Sequence, residues 1–141
     1  MLAERASGAL ASARVRHVWH RAGDWPRELV ETIELLQPDL VHVQHRDALF
    51  GHDYRLPMVL FALRARGIRT VVTLHEIAGS YGHRVFHRKL ALHGDRLVVH
   101  ERDAVLVAHG VPAAQVVHVE RAASAADHAA LYRKLALRAA A

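Results

Sequence analysis

A three-layer α/β sandwich on a mainly parallel sheet of about five strands is the fold this sequence predicts, and three observations predict it. Short β-type runs alternate with longer helical patterns about four times, the order that builds parallel sheets through strand-helix-strand crossovers. The run from Ile68 to Leu74 is continuously apolar or β-branched, as suits a strand covered on both faces. A length of 141 residues, with 52% of them hydrophobic and 23% charged, suits one ordinary globular domain over 1–141 and excludes a fibrous repeat or a disordered chain. The expected domain is Rossmann-like.

Arg14 to Trp19 reads as the first strand. Asp24 then stands as N-cap to a helix with Pro26 in its first turn, where the missing N–H of proline has no intrahelical partner to lose. Leu29, Val30, Ile33 and Leu36 recur on one face at helical spacing, and Pro38 marks the stop. Leu40 to Val43 is a second strand, followed by a polar, irregular loop from His45 to Arg55. Leu56 to Arg66 is helical, with Leu56, Val59, Leu60 and Leu63 on its buried side and Gly67 placed for a left-handed C-cap.

The strand from Ile68 to Leu74 leads into a loop over His75 to His83, and Val85 to Leu92 reads as a helix. Arg96 to Val99 is the fourth strand, and Glu101 to His109 a short helix ended by Gly110 and Pro112. Gln115 to Val119 is the fifth strand, and Ser124 with Asp127 opens a last helix carrying Leu131 and Leu135.

Cysteine is absent, which removes disulfides, thiolate metal sites and cysteine nucleophiles together. No apolar run approaches 18 residues, and Glu4 and Arg5 interrupt the N-terminus where a signal peptide needs an apolar stretch, so the expectation is a cytoplasmic protein. A net charge of +5 and thirteen histidines favour anionic partners. Aromatic residues are too sparse for a base-stacking platform, which argues against a single-stranded nucleic acid.

In open parallel sheets ligands sit beyond the carboxyl ends of the strands. That rule ranks three segments: His45 to Tyr54, His75 to His83 and the turn at His100-Glu101. His75 and Glu76 directly follow the best strand, so a buried element fixes their backbone while their side chains meet a crevice. An imidazole there can donate to a phosphate or a sugar hydroxyl, and a carboxylate beside it can orient it or raise its pKa. A histidine that merely caps the strand end is the competing reading. Gln44, His45, Arg46, Asp47 and His52 extend the polar lining after the second strand, whereas His42 reads as a packed histidine.

Arg84, Arg88 and Lys89, with His83 and His87, form the densest basic cluster, suited to a phosphate or an anionic membrane surface or to a solvated helix face. The expected metal is none. His42 and His45 are three apart on a strand and point to opposite sides, and after His75-Glu76 Gly79 occupies the place of a second metalloprotease histidine. No phosphate-binding loop, dinucleotide fingerprint or G-x-S-x-G elbow is present.

Four motifs follow in order: Pro38-Asp39-Leu40-Val41-His42-Val43-Gln44-His45, Leu49-Phe50-Gly51, Thr70-Val71-Val72-Thr73-Leu74-His75-Glu76 and Gly94-Asp95-Arg96-Leu97-Val98-Val99-His100. Together they resemble the N-terminal, acceptor-side domain of GT-B glycosyltransferases of family 4, with the similarity strongest over 38–119. The resemblance implies transfer of a sugar from a nucleotide-sugar to a sugar or lipid-linked acceptor, with retention and without a required metal; the nucleotide-sugar is a substrate and no cofactor is implied. It carries over His75 as the contact to the donor sugar, and it puts Gln44, His45 and the following loop with Arg46 and His52 beside the acceptor. The basic cluster looks like the membrane-facing or phosphate-facing helix of some members, which implies a peripheral contact at the inner membrane face.

Two departures accompany it. Against the family's opening strand and glycine-rich turn, the chain is expected to begin after that turn, within the first helix, and Glu120-Arg121-Ala122 stands where the family leads into its donor-binding half. The expectation is therefore a fragment, one subunit of a split enzyme or a degenerate relative, with a donor-binding domain in trans or a second copy of the chain as partner. The alternative is a non-catalytic binding or assembly module on the same fold.

Overall fold

The structure, a computed structural model, describes residues 2–4, 16–19, 23–47, 51–77, 80–100, 104–119 and 130. The chain divides into two compact units, 1–38 and 39–141. In the first, strands β1 (Leu2–Glu4) and β2 (Arg16–Trp19) pair in parallel, and helix α1 (Trp25–Leu36) contacts β2. Asp24 is the N-cap residue of α1, but its carboxylate makes no capping bond and accepts instead from Arg27 Nε at 2.9 Å. Trp25, Val30 and Ile33 are its buried residues. Leu36, expected on the same face, is 45% exposed, because the helix ends there and Gln37 turns away with a left-handed φ of 44°.

The second unit holds the sheet. Strands β3 (Leu40–His45), β4 (Arg69–Leu74), β5 (Arg96–Val99) and β6 (Val116–His118) pair side by side in that order, all parallel. The α/β class and parallel sheet follow the expectation, but among the described residues the sheet has four strands and not five. Arg16–Trp19 bonds to Leu2–Glu4 and forms a separate pair, a choice of partner that strand periodicity does not encode. The motif residues Leu49 and Phe50, and the helix expected after Ser124 apart from Ala130, lie outside the described residues.

Helices α2 (Arg55–Ala65), α3 (Tyr81–His93) and α4 (Ala104–Ala108) alternate with the strands. α2 packs on β4 and α3, and α3 also packs on β5. Leu56, Val59, Leu60 and Leu63 of α2 and Phe86 and Leu90 of α3 are all buried, as are Val72, Leu74, Leu97 and Val99 of the sheet. Burial of each such side chain stabilises by about 1.5–3 kcal/mol, before the entropy of ordering it is subtracted. On the opposite face Val71 and Val98 form a smaller cluster with Leu40, Val117 and Val119.

α3 starts four residues earlier than its apolar spacing implies, because Ser80 caps it by accepting the His83 N–H, at 3.4 Å. Its first turn is polar and contains Gly82, so periodicity could not mark it. α2 ends in a Schellman motif: Ile68 N–H donates to Leu63 O and Gly67 N–H to Arg64 O, both at 3.0 Å, with Gly67 at φ +74°. The start of β4 is clamped across the sheet by Asp95, whose carboxylate accepts from the Thr70 N–H at 2.7 Å.

Candidate functional site at the strand carboxyl ends

Strand alternation and parallel register decide which side chains meet. Gln44 pairs with Thr73 in the β3–β4 ladder and Thr73 with Val98 in the β4–β5 ladder. His42, Gln44, Thr73, His75 and His100 therefore share one face, and His45 belongs to the other. The ladder continues past β4, where the His75 N–H donates to His45 O at 3.2 Å and so fixes the backbone of the first loop residue.

On the first face a chain of polar contacts runs along the sheet. Thr73 Oγ1 lies 2.7 Å from His42 Nε2, and Gln44 Nε2 donates toward the same nitrogen at 3.0 Å. Gln44 Oε1 accepts from His75 Nε2 at 2.6 Å. In a neutral ring this makes Nε2 the protonated nitrogen of His75 and Nδ1 its acceptor. The ring of His100 lies 5.5 Å from that of His75 and is anchored by Nδ1 donating to Val119 O at 3.0 Å. His75 and His42 are half-buried, Gln44 and Glu76 exposed.

Of the residues singled out in the sequence, the structure brings His75, Gln44 and His100 together, and it adds His42 and Thr73. His42 is held by side chains of the neighbouring strand and residue, beyond the packing role expected of it. His45 and His52 do not join this group. His45 is fully buried on the opposite face, its Nε2 3.2 Å from Gly51 O and its ring 5.1 Å from Phe86. Burial pushes its pKa down, opposed by the Gly51 carbonyl and the charge of Asp47. Arg46 is exposed.

His52 instead packs edge-on against His83, with ring centroids 3.8 Å apart, and both lie by Asp47. His83 Nε2 donates to Asp47 Oδ2 at 2.9 Å. Deeper in, His87 Nδ1 meets His109 Nδ1 at 3.1 Å, and both rings are buried. Burial first, and then the neighbouring His109, lower the pKa of His87 to about 4. The pKa of His109 falls in the same direction, by burial and then the charge of Arg84.

No family model, characterised protein or solved structure matches this chain. The chemistry of the site rests on its own residues. The first face presents imidazole and amide donors and acceptors, a set that suits hydroxyl and phosphate groups of a ligand, whereas the exposed carboxylate of Glu76 acts electrostatically on His45 of the other face.

Arg88 and Lys89 lie elsewhere, on α3, where with Arg64, Leu92, Pro112 and Gln115 they line an open cleft of about 580 Å³. Lys89 Nζ sits 4.7 Å above the ring of Tyr54, within range of a cation–π contact. Arg84 is exposed on the same helix. Met58, Phe61 and Leu92, on α2 and α3, are each more than half exposed. Among the described residues no helix is long and apolar enough to cross a membrane.

The sequence does not single out Thr73, and it groups His100 with His75 only as segments at the same end of the sheet, without the contact between their rings. The signal for both is the two-residue alternation, carried across neighbouring strands once their register is known. The grouping of Asp47, His52 and His83 escapes the sequence for another reason. Spacing tests pairs within one element, and Asp47 and His83 are 36 residues apart.

Proposed function

We propose that this chain is an acceptor-side domain of the retaining, family 4 GT-B glycosyltransferase type, moving a sugar from a nucleotide-sugar to a sugar or lipid-linked acceptor together with a donor-binding domain. One observation carries the reading: His75, hydrogen-bonded to Gln44, stands at the carboxyl ends of adjacent parallel strands, where open α/β sheets bind ligands. The bond to Gln44 sets the ring's tautomer, with Nε2 protonated and Nδ1 its acceptor nitrogen. Glu76, exposed at the same strand end, is the neighbouring charge. Gln44 and Arg46 border the acceptor, and the nucleotide-sugar is a substrate, with no cofactor. Arg88 and Lys89, beside exposed Leu92, suit the phosphate of a lipid-linked acceptor at an inner membrane face, in the cytoplasm.

Nucleotide-sugar turnover or hydrolysis by the purified chain, alone and mixed with a donor-binding GT-B domain, tests the reading. Activity in the mixture that drops at least tenfold in His75→Ala supports it. Turnover that His75→Ala leaves intact removes the role of the imidazole, and no turnover under either condition overturns the enzymatic reading.

A second reading, a binding or assembly module, is favoured by the position of β3 at the edge of the four-stranded sheet. It expects a stable dimer by size-exclusion chromatography with no affinity for nucleotides or sugars.

A further inference from the structure

We infer that Asp47, His52 and His83 form a binding site for a first-row divalent cation, zinc foremost, that ties the segment after β3 to the first turn of α3. This site lies apart from the His75 group and does not depend on the proposed sugar chemistry. Each of the three residues offers one ligand atom, and these atoms all lie within 4.8 Å of one another. Bonds of about 2.0–2.2 Å at tetrahedral angles put ligand atoms about 3.4 Å apart, so the side chains need only small rotations to close on an ion. Two imidazoles and one carboxylate with a fourth position for water is a donor set that zinc accepts, and the lack of thiolates disfavours softer ions.

Two buried polar atoms point the same way. Asp47 Oδ1 and His52 Nε2 are shielded from solvent and have no hydrogen-bond partner among the described residues, the buried His45 Nδ1 lying 3.9 Å from Asp47 Oδ1. Leaving such groups unsatisfied is costly, and both belong to the same trio. A cation would satisfy the carboxylate and one imidazole at once. The contact between His83 Nε2 and Asp47 Oδ2, at 2.9 Å, is the bond an ion would replace.

The surroundings suit that exchange. Ser80 Oγ lies 2.6 Å from His83 Nδ1, and a hydroxyl can donate to that nitrogen or accept from it. When Nε2 binds a metal, Nδ1 carries the proton and donates to Ser80, which fixes the ring as outer-shell partners do for metal-bound histidines. The edge-on packing of His52 against His83 and Phe86 restricts its ring in turn. The site joins residues from before α2 with one on α3, so an ion there cross-links a loop to a helix.

Titration of the full chain, freed of metal by chelator, with zinc chloride in a calorimeter at pH 7.5 tests this. One ion per chain with a dissociation constant of about 10 μM or tighter is expected, together with a rise in melting temperature. Cobalt(II) should bind in its place and give the visible absorption of a four- or five-coordinate nitrogen-oxygen site, bleached by zinc. His52→Ala and His83→Gln should each weaken zinc at least tenfold with unchanged far-ultraviolet circular dichroism, whereas His75→Ala should leave it unaltered. Anomalous diffraction from zinc-soaked crystals locates the ion in the unmutated chain and does not depend on how the variants fold. No saturable binding below 100 μM, affinity indifferent to both variants, or an ion bound at other histidines would overturn the site.

Discussion

Two groups of histidines differ in their surroundings: one lines a face of the sheet, and the other is buried on the opposite side, at β3 and at the helices that cover it. His42, His75 and His100 sit on the face where hydroxyl, amide and carbonyl partners meet each ring. His45, His87 and His109 are buried, His45 against Gly51 O and His87 and His109 against each other, and burial pushes their pKa values down. An imidazole with polar partners at a strand end is available for a ligand, and one stripped of water is a neutral packing element. Residue type did not decide between them: parity along β3 separates His42 from His45, and burial at a helix separates His87 and His109 from the polar face.

Acid unfolding should break or confirm this contrast most strongly. His87 has a folded pKa of about 4 against an ordinary 6.5. The unfolded chain therefore takes up its proton first as pH falls. Stability is complete above pH 6.5 and declines through that window toward pH 4, by about 3 kcal/mol from this residue, at 1.36 kcal/mol per pKa unit. His45 and His109, shifted in the same direction, steepen the decline. Urea unfolding at pH 7.5, 6.0 and 4.5 measures it. His87→Leu should flatten the profile, and an unchanged slope would show that this ring is hydrated.

Next in size is the clamp beneath both groups. Asp95→Ala strips the acceptor from the Thr70 N–H, in a buried residue, and should cost about 1–3 kcal/mol of stability by urea denaturation. Because β4 carries residues of both faces, His75 and His45 resonances should both shift in a histidine-selective NMR spectrum. Gly67→Ala, which forces a φ of +74° on a residue with a Cβ, should cost about 1 kcal/mol, and its cost should be the same at pH 7.5 and 4.5 since no histidine is involved. The smallest effect belongs to the polar face. Gln44→Ala removes an exposed partner of His75 and should change stability by less than about 1 kcal/mol. Its effect should fall on ligand affinity and on the NMR-determined tautomer of His75.

The elements that repeat a hydrophobic period are legible in the order of the residues alone. β4 emerges from the run of Ile68, Val71 and Val72, and the end of α2 from Gly67 placed for a left-handed turn. What escapes is pairing. The segment at 16–19 is recognisable as a strand, yet its bond to Leu2–Glu4 is a long-range choice between similar short partners. The same limit applies to chemistry. His75 stands out because it follows a strand directly, while the contact of His83 with Asp47 and the burial of His45 depend on how α3 lies on the sheet, which local spacing does not encode.

The pleat of β4 acts like a reading frame. Inserting or deleting a single residue between Arg69 and Leu74 would rotate position 75 onto the helix-covered side and take its ring away from Gln44 into the packed interior. Homologous chains can therefore vary the lengths of their loops with little penalty, but a length change inside this six-residue strand would exchange the duties of the two sides of the sheet.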